Sequence, residues 1–311
     1  MREKVTIVMA TYNGEDFLEK QLNSIINQTV KPDEIVIIDD VSKDNTKDII
    51  LDFEKKNREI SFQNIFRDVN TGYIRNFIDG IKIAKNDYIF LCDQDDIWVK
   101  NRIEKTLEFF VKHPDCIVLH SNSHMIDKNS NIIRENIQNY TKSSEKLELK
   151  KFVKKVNYPG MSMTLRKSQI INDLDDISSR IKLPTHDWVI AYIACKKEGL
   201  YITNKVYTYR RLTGKNVALQ NNKKRLSTIK NRINGIKLYR KYYFFMKEVG
   251  ERSIKVNNYI ETSEIREKYL EEKNMGLFLV NIININYYPS YKAYFGDGKL
   301  LLKKLGGKNE K

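Results

Sequence analysis

Cysteine and tryptophan are scarce in this chain, and long apolar runs are missing. Its 311 residues include three cysteines, Cys92, Cys116 and Cys195. Scattered and odd in number, they exclude a disulfide framework and fit reduced thiols in a cytoplasmic protein. No apolar run is long enough to span a bilayer; the nearest, Met275–Tyr288, is broken repeatedly by asparagine. The apolar stretch Val5–Ala10 is too short for a signal peptide and runs straight into Tyr-Asn-Gly-Glu-Asp, so no leader is expected. There is no internal repeat and no low-complexity segment beyond a short Lys-rich end. Zinc-finger spacing and an aromatic RNA-binding signature are also missing, so nucleic acid is not an expected partner.

What is present describes a soluble globular chain that can bury a core: 41% hydrophobic and 31% charged residues. The length allows one large domain, or one domain with an appendage. The net charge of +15 is unevenly placed. Residues 1–220 carry 35 Lys and Arg against 31 Asp and Glu, whereas residues 221–311 carry 20 against 9. The second stretch also holds 9 of the 18 tyrosines. A basic, tyrosine-rich C-terminal region suggests an anionic partner such as a membrane surface; a solvated helical face is the plainer meaning of the same excess.

Apolar runs and helical spacings alternate from the start. Strands are expected at Val5–Ala10, Ile35–Ile38, Ser61–Phe66, Tyr88–Cys92, Ile117–Met125, Met161–Leu165 and Leu200–Tyr209. Helices are expected around Phe17–Ile26, Ile49–Phe53 (with Ser42 and Asp44 as capping candidates), Ile74–Ile81, Arg102–Val111, Leu147–Val153 and Asp187–Ala194. Residues 128–145 read as a polar, mobile loop, Arg210–Asn216 as a basic loop, and 223–285 as helices. Continuous apolar strands between amphipathic helices imply an α/β fold with a mostly parallel sheet covered on both faces. Ligands of such sheets bind beyond the carboxyl ends of the strands, where Asp39, Asp40, Asp93 and Asp95 all fall.

The sharpest feature is Asp93-Gln94-Asp95-Asp96-Ile97-Trp98, which puts three carboxylates in four residues directly behind a buried strand. Desolvated like charges are costly in a core, but they suit a hard divalent cation that takes oxygen ligands and leaves room for phosphates. A solvated acidic turn is the alternative. Neither tryptophan, Trp98 or Trp188, is assigned to a ligand on type alone, since tryptophan is more often a packing residue. His120 and His124 have the spacing of a metal pair on a helix, but they sit on an expected strand with no third ligand and are read as packing or exposed residues.

Five places in order resemble the family 2 inverting glycosyltransferases of the A-type nucleotide-sugar fold, in the form of bacterial rhamnosyltransferases. They are Val5–Gly14, Ile38-Asp39-Asp40-Val41-Ser42, Asn70-Thr71-Gly72 with Asn76, Asp93–Trp98, and Thr185-His186-Asp187-Trp188, together covering residues 4–217. The resemblance implies a Rossmann-like sheet and a nucleotide-sugar donor, UDP- or dTDP-linked. Donor contacts are implied at Ala10, Thr11, Tyr12, Asn13, Asp40, Asn70, Gly72, Asn76, Asp93, Arg210 and Lys215. Asp40 would accept from the imide N–H of uracil or thymine. Mn²⁺ or Mg²⁺ would be held by Asp95 with Asp93, to neutralise the leaving diphosphate. Asp187 would be the general base for the acceptor hydroxyl, as a single inverting displacement requires, and its plainer role is an N-cap. Gly160, Met161, His186 and Trp188 would border the acceptor.

One departure stands out. Where related sequences carry Tyr-Arg-x-His, this chain reads Tyr209-Arg210-Arg211-Leu212, and leucine cannot ligate a metal. Arg210, Arg211 and Lys215 are the substitutes for its charge on the diphosphate. The expected organisation is a glycosyltransferase domain over 1–220 and a helical, basic region over 221–311. The expected activity is transfer of a sugar, such as rhamnose, to a cell-surface glycan on a lipid carrier at the inner face of the membrane. A UDP-hexose or UDP-N-acetylhexosamine transferase and a non-catalytic binding protein are the alternatives. For 221–311, self-association is the alternative to membrane attachment.

Overall fold

The computed structural model describes residues 2–213 and 228–305, the last three of these through their backbone alone. Lys215 and the expected boundary at residue 220 lie outside the described residues. The chain divides into two compact units: Met1–Glu148 with Asn157–Thr213, and Leu149–Val156 with the chain after Thr213.

The first unit opens with β1 (Val5–Thr11), α1 (Leu18–Ile26), β2 (Glu34–Asp39), α2 (Thr46–Lys56), β3 (Ser61–Phe66), α3 (Tyr73–Ile83) and β4 (Tyr88–Asp93). Strands β1 and β2 are buried almost throughout and β4 up to its last residue, as continuous Val/Ile/Leu runs require. The order β3-β2-β1-β4 is parallel at every step. Ile7, Met9, Ile35 and Phe90 meet Leu22 and Ile25 of α1 in one apolar core. Each such side chain stabilises the fold by about 1.5–3 kcal/mol relative to exposure. Register then does the functional work. Thr11 pairs with Asp39 and Ala10 with Asp93, so these strand ends lie level at one edge of the sheet.

Beyond β4 come β5 (Ile97–Trp98), α4 (Arg102–Lys112), β6 (Val118–Ile126), β7 (Ile132–Arg134) and β8 (Glu145–Lys146). Thus the stretch expected as a mobile loop, 128–145, contains one strand and enters another: β7 pairs with β6, and β8 with a later strand. The expected helix over Leu147–Val153 shrinks to α5 (Leu149–Phe152), four residues in the second unit. A 3-10 turn at Gly160–Ser162 leads into β9 (Met163–Arg166), which runs antiparallel between β4 and β6. Then follow α6 (Lys167–Arg180), α7 (His186–Lys196) and β10 (Leu200–Arg211). The sheet continues as β9-β6-β10-β5, so the expectation of a mixed α/β, mostly parallel sheet holds with an antiparallel insertion. β10 extends past Tyr209, which takes Arg210 and Arg211 out of the expected loop.

In the second unit, α8 (Ile229–Glu248), α9 (Val256–Glu271), α10 (Met275–Val280), a 3-10 segment (Asn281–Tyr287) and α11 (Tyr291–Leu305) confirm a helical C-terminal region. Ile236, Tyr269, Leu270, Phe278, Tyr294 and Leu301 form its core. Inside it Asp297, fully buried, binds Arg266 Nε at 3.0 Å and the Tyr269 hydroxyl at 2.6 Å, with Arg232 at 3.0 Å. Among the described residues, no helix is long and apolar enough to cross a membrane.

Candidate active site

The loops at the strand ends are tied together by side chains that reach across to neighbouring backbone. Asn13, with φ of 48°, follows β1. Its amide donates to Ser42 Oγ at 2.8 Å, and the next amide, Gly14, donates to Thr46 Oγ1 at 2.7 Å. Asn13 Oδ1 in turn accepts from the Lys43 amide at 2.8 Å. Asp39 is committed to Thr11 Oγ1 and to the Ser42 amide, both at 2.9 Å. Val41 sits at φ 70°, a costly conformation for a β-branched residue, and it directly follows Asp40. Ser42 therefore braces this loop rather than capping α2, while Asp44 accepts from the Thr46 amide at the start of that helix.

Both Asp40 oxygens accept backbone amides at 2.8 Å, one from Thr71 and one from Gly72, and Asn70 Nδ2 donates to the Asp40 carbonyl at 3.0 Å. Asp40 thus holds the turn that leads into α3, the helix that Gly72 opens with φ 82°, a conformation that glycine adopts without strain.

At the end of β4, one carboxylate oxygen from each of Asp93, Asp95 and Asp96 lies within 4.8 Å of the others. Burial, and next the charge of Asp95, raises the Asp93 carboxyl far above the ordinary carboxylate range; Arg210 opposes this and Asp187 adds to it. Asp96 is raised for the same reasons: burial, then Asp95 and Asp93. One Asp96 oxygen accepts from the Arg211 amide at 2.9 Å, and the other is buried without a hydrogen-bond partner among the described residues. Between these strands Gln94 clamps the loop after β1, accepting from the Tyr12 amide at 2.8 Å and donating to the Tyr12 carbonyl at 3.0 Å. Arg211, fully buried, donates to the carbonyls of Asp95 (2.8 Å), Asp127 (2.9 Å) and Lys128 (3.0 Å) and to Ser130 Oγ at 3.1 Å. Beneath the turn, the buried Arg102 lies 3.9 Å over the Trp98 ring and donates to Thr208 Oγ1 at 2.7 Å.

Opposite the acidic turn, α7 begins with Thr185 as its cap, accepting from the Trp188 amide. That leaves Asp187 at the helix entrance, half-buried, with Oδ2 accepting from the Gly160 amide at 3.1 Å and Oδ1 from Trp188 N at 2.7 Å. A Cβ on Gly160 would lie 2.9 Å from His186 Nε2 and 3.4 Å from Asp187 Cβ, so only glycine fits without displacement. His186 is buried, stacked on Phe77 at 4.2 Å, and edge-on to Tyr73 at 5.8 Å. Neither of its ring nitrogens has a hydrogen-bond partner among the described residues, and burial, partly offset by Asp187, holds its pKa below the ordinary value. Partial burial and the charges of Asp187 and then Asp93 raise the Tyr73 phenol.

The family model described as Glycosyl transferase family 2 matches residues 6–170. The chain belongs to glycosyl transferase family 2. It is 30% identical over 247 residues to the dTDP-rhamnosyl transferase RfbG of Shigella flexneri, covering 72% of this chain and 80% of that protein. Over 192 residues it is 31% identical to the uncharacterised glycosyltransferase MJ1057 of Methanocaldococcus jannaschii, covering 61% of this chain and 64% of the relative, slightly under two thirds. Two solved structures share the fold. S. aureus TarS 1-349 in complex with UDP-GlcNAc has a TM-score of 0.61 at 15% identity, covering 99% of this chain and 93% of that one. The mannosyltransferase PcManGT from Pyrobaculum calidifontis, in complex with GDP-Man and Mn2+, has a TM-score of 0.54 at 12% identity and covers 99% and 77%.

Within this glycosyltransferase, the residues singled out from the sequence separate into groups. Ala10, Thr11, Tyr12, Asn13, Asp93, Asp95, Gly160, His186 and Asp187 lie at the strand and helix ends just described. Arg210, next to last in β10, is the charge that opposes the raised Asp93 carboxyl. Three readings are corrected and a fourth is narrowed. Asn76 is buried in α3, its Oδ1 accepting from Arg67 Nε at 2.5 Å and Thr71 Oγ1 at 3.0 Å, so its oxygen fastens the Asn70–Gly72 turn and its amide nitrogen alone stays without a partner among the described residues. Met161 and Trp188 are 0% and 1% exposed, Trp188 stacking on Tyr192 at 5.5 Å; both are packing residues with no face free for an acceptor. Arg211 is bound to the carbonyls it organises, so it is not a free charge for the diphosphate. His120 and His124 pack as read, through Tyr140 and the Asn136 amide. Gln94, Arg102 and Tyr73 are given no role by the sequence reading, and Asp96 none of its own beyond membership of the carboxylate cluster. For Gln94 and Asp96 the signal was their place inside the acidic motif.

Proposed function

We propose that the protein is an inverting glycosyltransferase that moves a sugar from a pyrimidine-nucleotide diphosphate donor to a hydroxyl of a growing cell-surface glycan. The observation that carries it is the Asp93–Asp96 carboxylate cluster at the end of β4, with Asp187 bonded to Gly160, which lies beside Leu91 of the same strand, on a family 2 scaffold. Three crowded carboxylates, two with raised pKa and one with an orphaned buried oxygen, fit a divalent cation by their chemistry. Mn²⁺ or Mg²⁺ held by Asp93 and Asp95, with Asp96 supplying the ligand that Leu212 cannot, would supply Lewis-acid neutralisation of the diphosphate. The Mn2+ in the PcManGT complex supports that reading.

The chain's own groups supply the rest. The Tyr12–Gly14 backbone and Asp39–Ser42 loop form the nucleotide cradle, and Arg210 adds positive charge at the acidic turn. Asp187, oriented by the Gly160 amide, takes the proton of the acceptor hydroxyl as that oxygen attacks the anomeric carbon from the face opposite the leaving diphosphate. One base and no covalent nucleophile give inversion. Rhamnose is favoured as the sugar by the similarity to the dTDP-rhamnosyl transferase RfbG. A UDP-N-acetylhexosamine is the second reading, favoured by the UDP-GlcNAc complex of the structural neighbour. A screen of dTDP-rhamnose, UDP-GlcNAc, UDP-glucose and GDP-mannose, each with Mn²⁺ or with chelator, decides it. Turnover of GDP-mannose alone would overturn the pyrimidine assignment, and full activity in chelator would overturn the metal.

A further inference from the structure

The second unit exposes apolar side chains that its own core does not use. Leu279 is 59% exposed, Val280 65%, Ile282 51% and Ile283 76%, all within α10 and the following 3-10 segment. On α11, Phe295 (66%) and Leu302 (60%) lie on the side of the helix that Tyr291 (62%) begins, at four- and seven-residue steps. The two elements are packed together: Phe278 stacks on Tyr294 at 4.5 Å, and the Tyr294 hydroxyl donates to the Phe278 carbonyl at 3.3 Å. Soluble monomers rarely leave so many large apolar side chains in one place.

Charge identifies the occupant. From Lys273 to Leu305 the sequence has five lysines and one acidic residue, Asp297. Asp297 is fully buried and neutralised by Arg266 and Arg232, so no carboxylate from this stretch faces solvent. We propose that Leu279, Val280, Ile282, Ile283, Phe295 and Leu302 form a surface that inserts into the headgroup and upper acyl layer of an anionic lipid bilayer, with Lys292 and Lys299 set against the phosphates. Apolar side chains enter the interface while the lysine stems keep their charges among the headgroups. With no helix among the described residues long and apolar enough to cross, the proposed attachment lies in the plane of the membrane. A second copy of the chain is a poorer occupant, because a twofold interface would bring the exposed Lys292 and Lys299 of α11 toward their own copies. The inference does not depend on the donor or acceptor.

The test uses the full chain and the double variant Ile283→Ser with Phe295→Ser, two exposed positions whose replacement leaves the core intact; unchanged thermal melting checks this. Flotation is measured with phosphatidylcholine vesicles and with mixed phosphatidylcholine–phosphatidylglycerol vesicles at low and high salt. The natural chain is expected to float with the mixed vesicles and less with neutral ones, and high salt should weaken but not abolish binding. The double variant should lose about tenfold or more of its partitioning. Indifference to anionic vesicles at low salt would overturn the proposal, as would equal binding by the folded double variant. A natural chain that dimerises in solution, with a monomeric double variant and no vesicle binding by either, would assign the surface to a second copy.

Discussion

Arg211 offers the clearest separation between a residue that touches the donor and one that builds the site. Replacing it with methionine keeps much of the apolar volume but removes its hydrogen bonds to the Asp95, Asp127 and Lys128 carbonyls and to Ser130 Oγ. Hydrogen bonds from a charged donor contribute about 1.5–3 kcal/mol each when buried. Lys128 and Ser130 are exposed, so water can replace the bonds there, and the loss at the half-buried Asp95 counts most. A total of about 3 kcal/mol follows, within a domain stability of about 5–15 kcal/mol, so the variant stays folded. The ordering of the Asp93–Asp96 turn, no longer provided by folding, must then be provided by binding. Metal-dependent UDP affinity should fall by up to about 10²-fold, since about 1.4 kcal/mol is tenfold.

Calorimetric titration of UDP in the presence of Mn²⁺, with thermal melts of the same samples, measures both effects. Arg211→Lys is the informative companion. Lysine keeps the charge but cannot reach several carbonyls at once with a planar fork, so bracing predicts that it behaves like methionine. If the guanidinium instead neutralised the diphosphate, lysine would rescue most of the affinity. Rescue by lysine, or unchanged UDP binding by Arg211→Met, would refute the bracing role.

The remaining expectations concern the chemistry directly. Asp187→Asn should retain UDP binding and lose about 10²-fold or more in kcat, as for a missing general base; pre-steady-state turnover with saturating donor checks this. Gly160→Ala, whose Cβ would crowd His186 Nε2, should impair acceptor-dependent turnover more than the binding of UDP. Because Asp93 and Asp96 have raised pKa, protons compete with a cation, so the rise in Tm on adding Mn²⁺ should grow from about pH 5.5 to about pH 7.5 and shrink in Asp95→Asn. His186 has a depressed pKa in the fold, so below its ordinary value of 6.5 the unfolded chain binds the extra proton and stability falls with pH. His186→Gln should flatten that acid limb in denaturation measured across the same range.

Much of the first unit could be read from the sequence because its strands are continuous apolar runs and its helices have one apolar face. Register then follows from burial, and level strand ends bring Asp39 beside Thr11 and Asp93 beside Ala10. Elements without such a signal were missed. In α6, Ile170, Leu174 and Ile177 are buried at helical spacing, but Ser, Asn and Asp fill the rest of the helix and weaken its propensity. β5 is two residues long and exists only because β10 pairs with it. The Arg211–Asp95 bond joins positions 116 apart, and no local pattern encodes it. Arginine beside an acidic motif reads equally well as a phosphate ligand until the topology shows what it reaches.

The same ambiguity runs through the whole site and has one physical origin. Motif residues are polar because loops at the ends of buried strands carry backbone groups that must find partners. Asp40 gives its carboxylate to two amides, Gln94 its amide group to the Tyr12 backbone, and Arg211 its guanidinium to three carbonyls. Each spends on the scaffold the atoms that a sequence reading offers to the ligand. What remains uncommitted among the described residues is a better guide to binding. One Asp96 oxygen, both His186 ring nitrogens and the Asn76 amide nitrogen are buried without partners. Leaving such groups unpaired costs about 1–3 kcal/mol each, and a substrate or cation that satisfies them recovers that energy on binding. Asn76 thus returns as a donor on its nitrogen even though its oxygen belongs to the fold. By this criterion Asp96→Asn should weaken Mn²⁺ binding more than Asp40→Asn does, while Asp40→Asn should lower the melting temperature more through loss of its bonds to the Thr71 and Gly72 amides ahead of α3. The reverse order would show that committed atoms still decide recognition here.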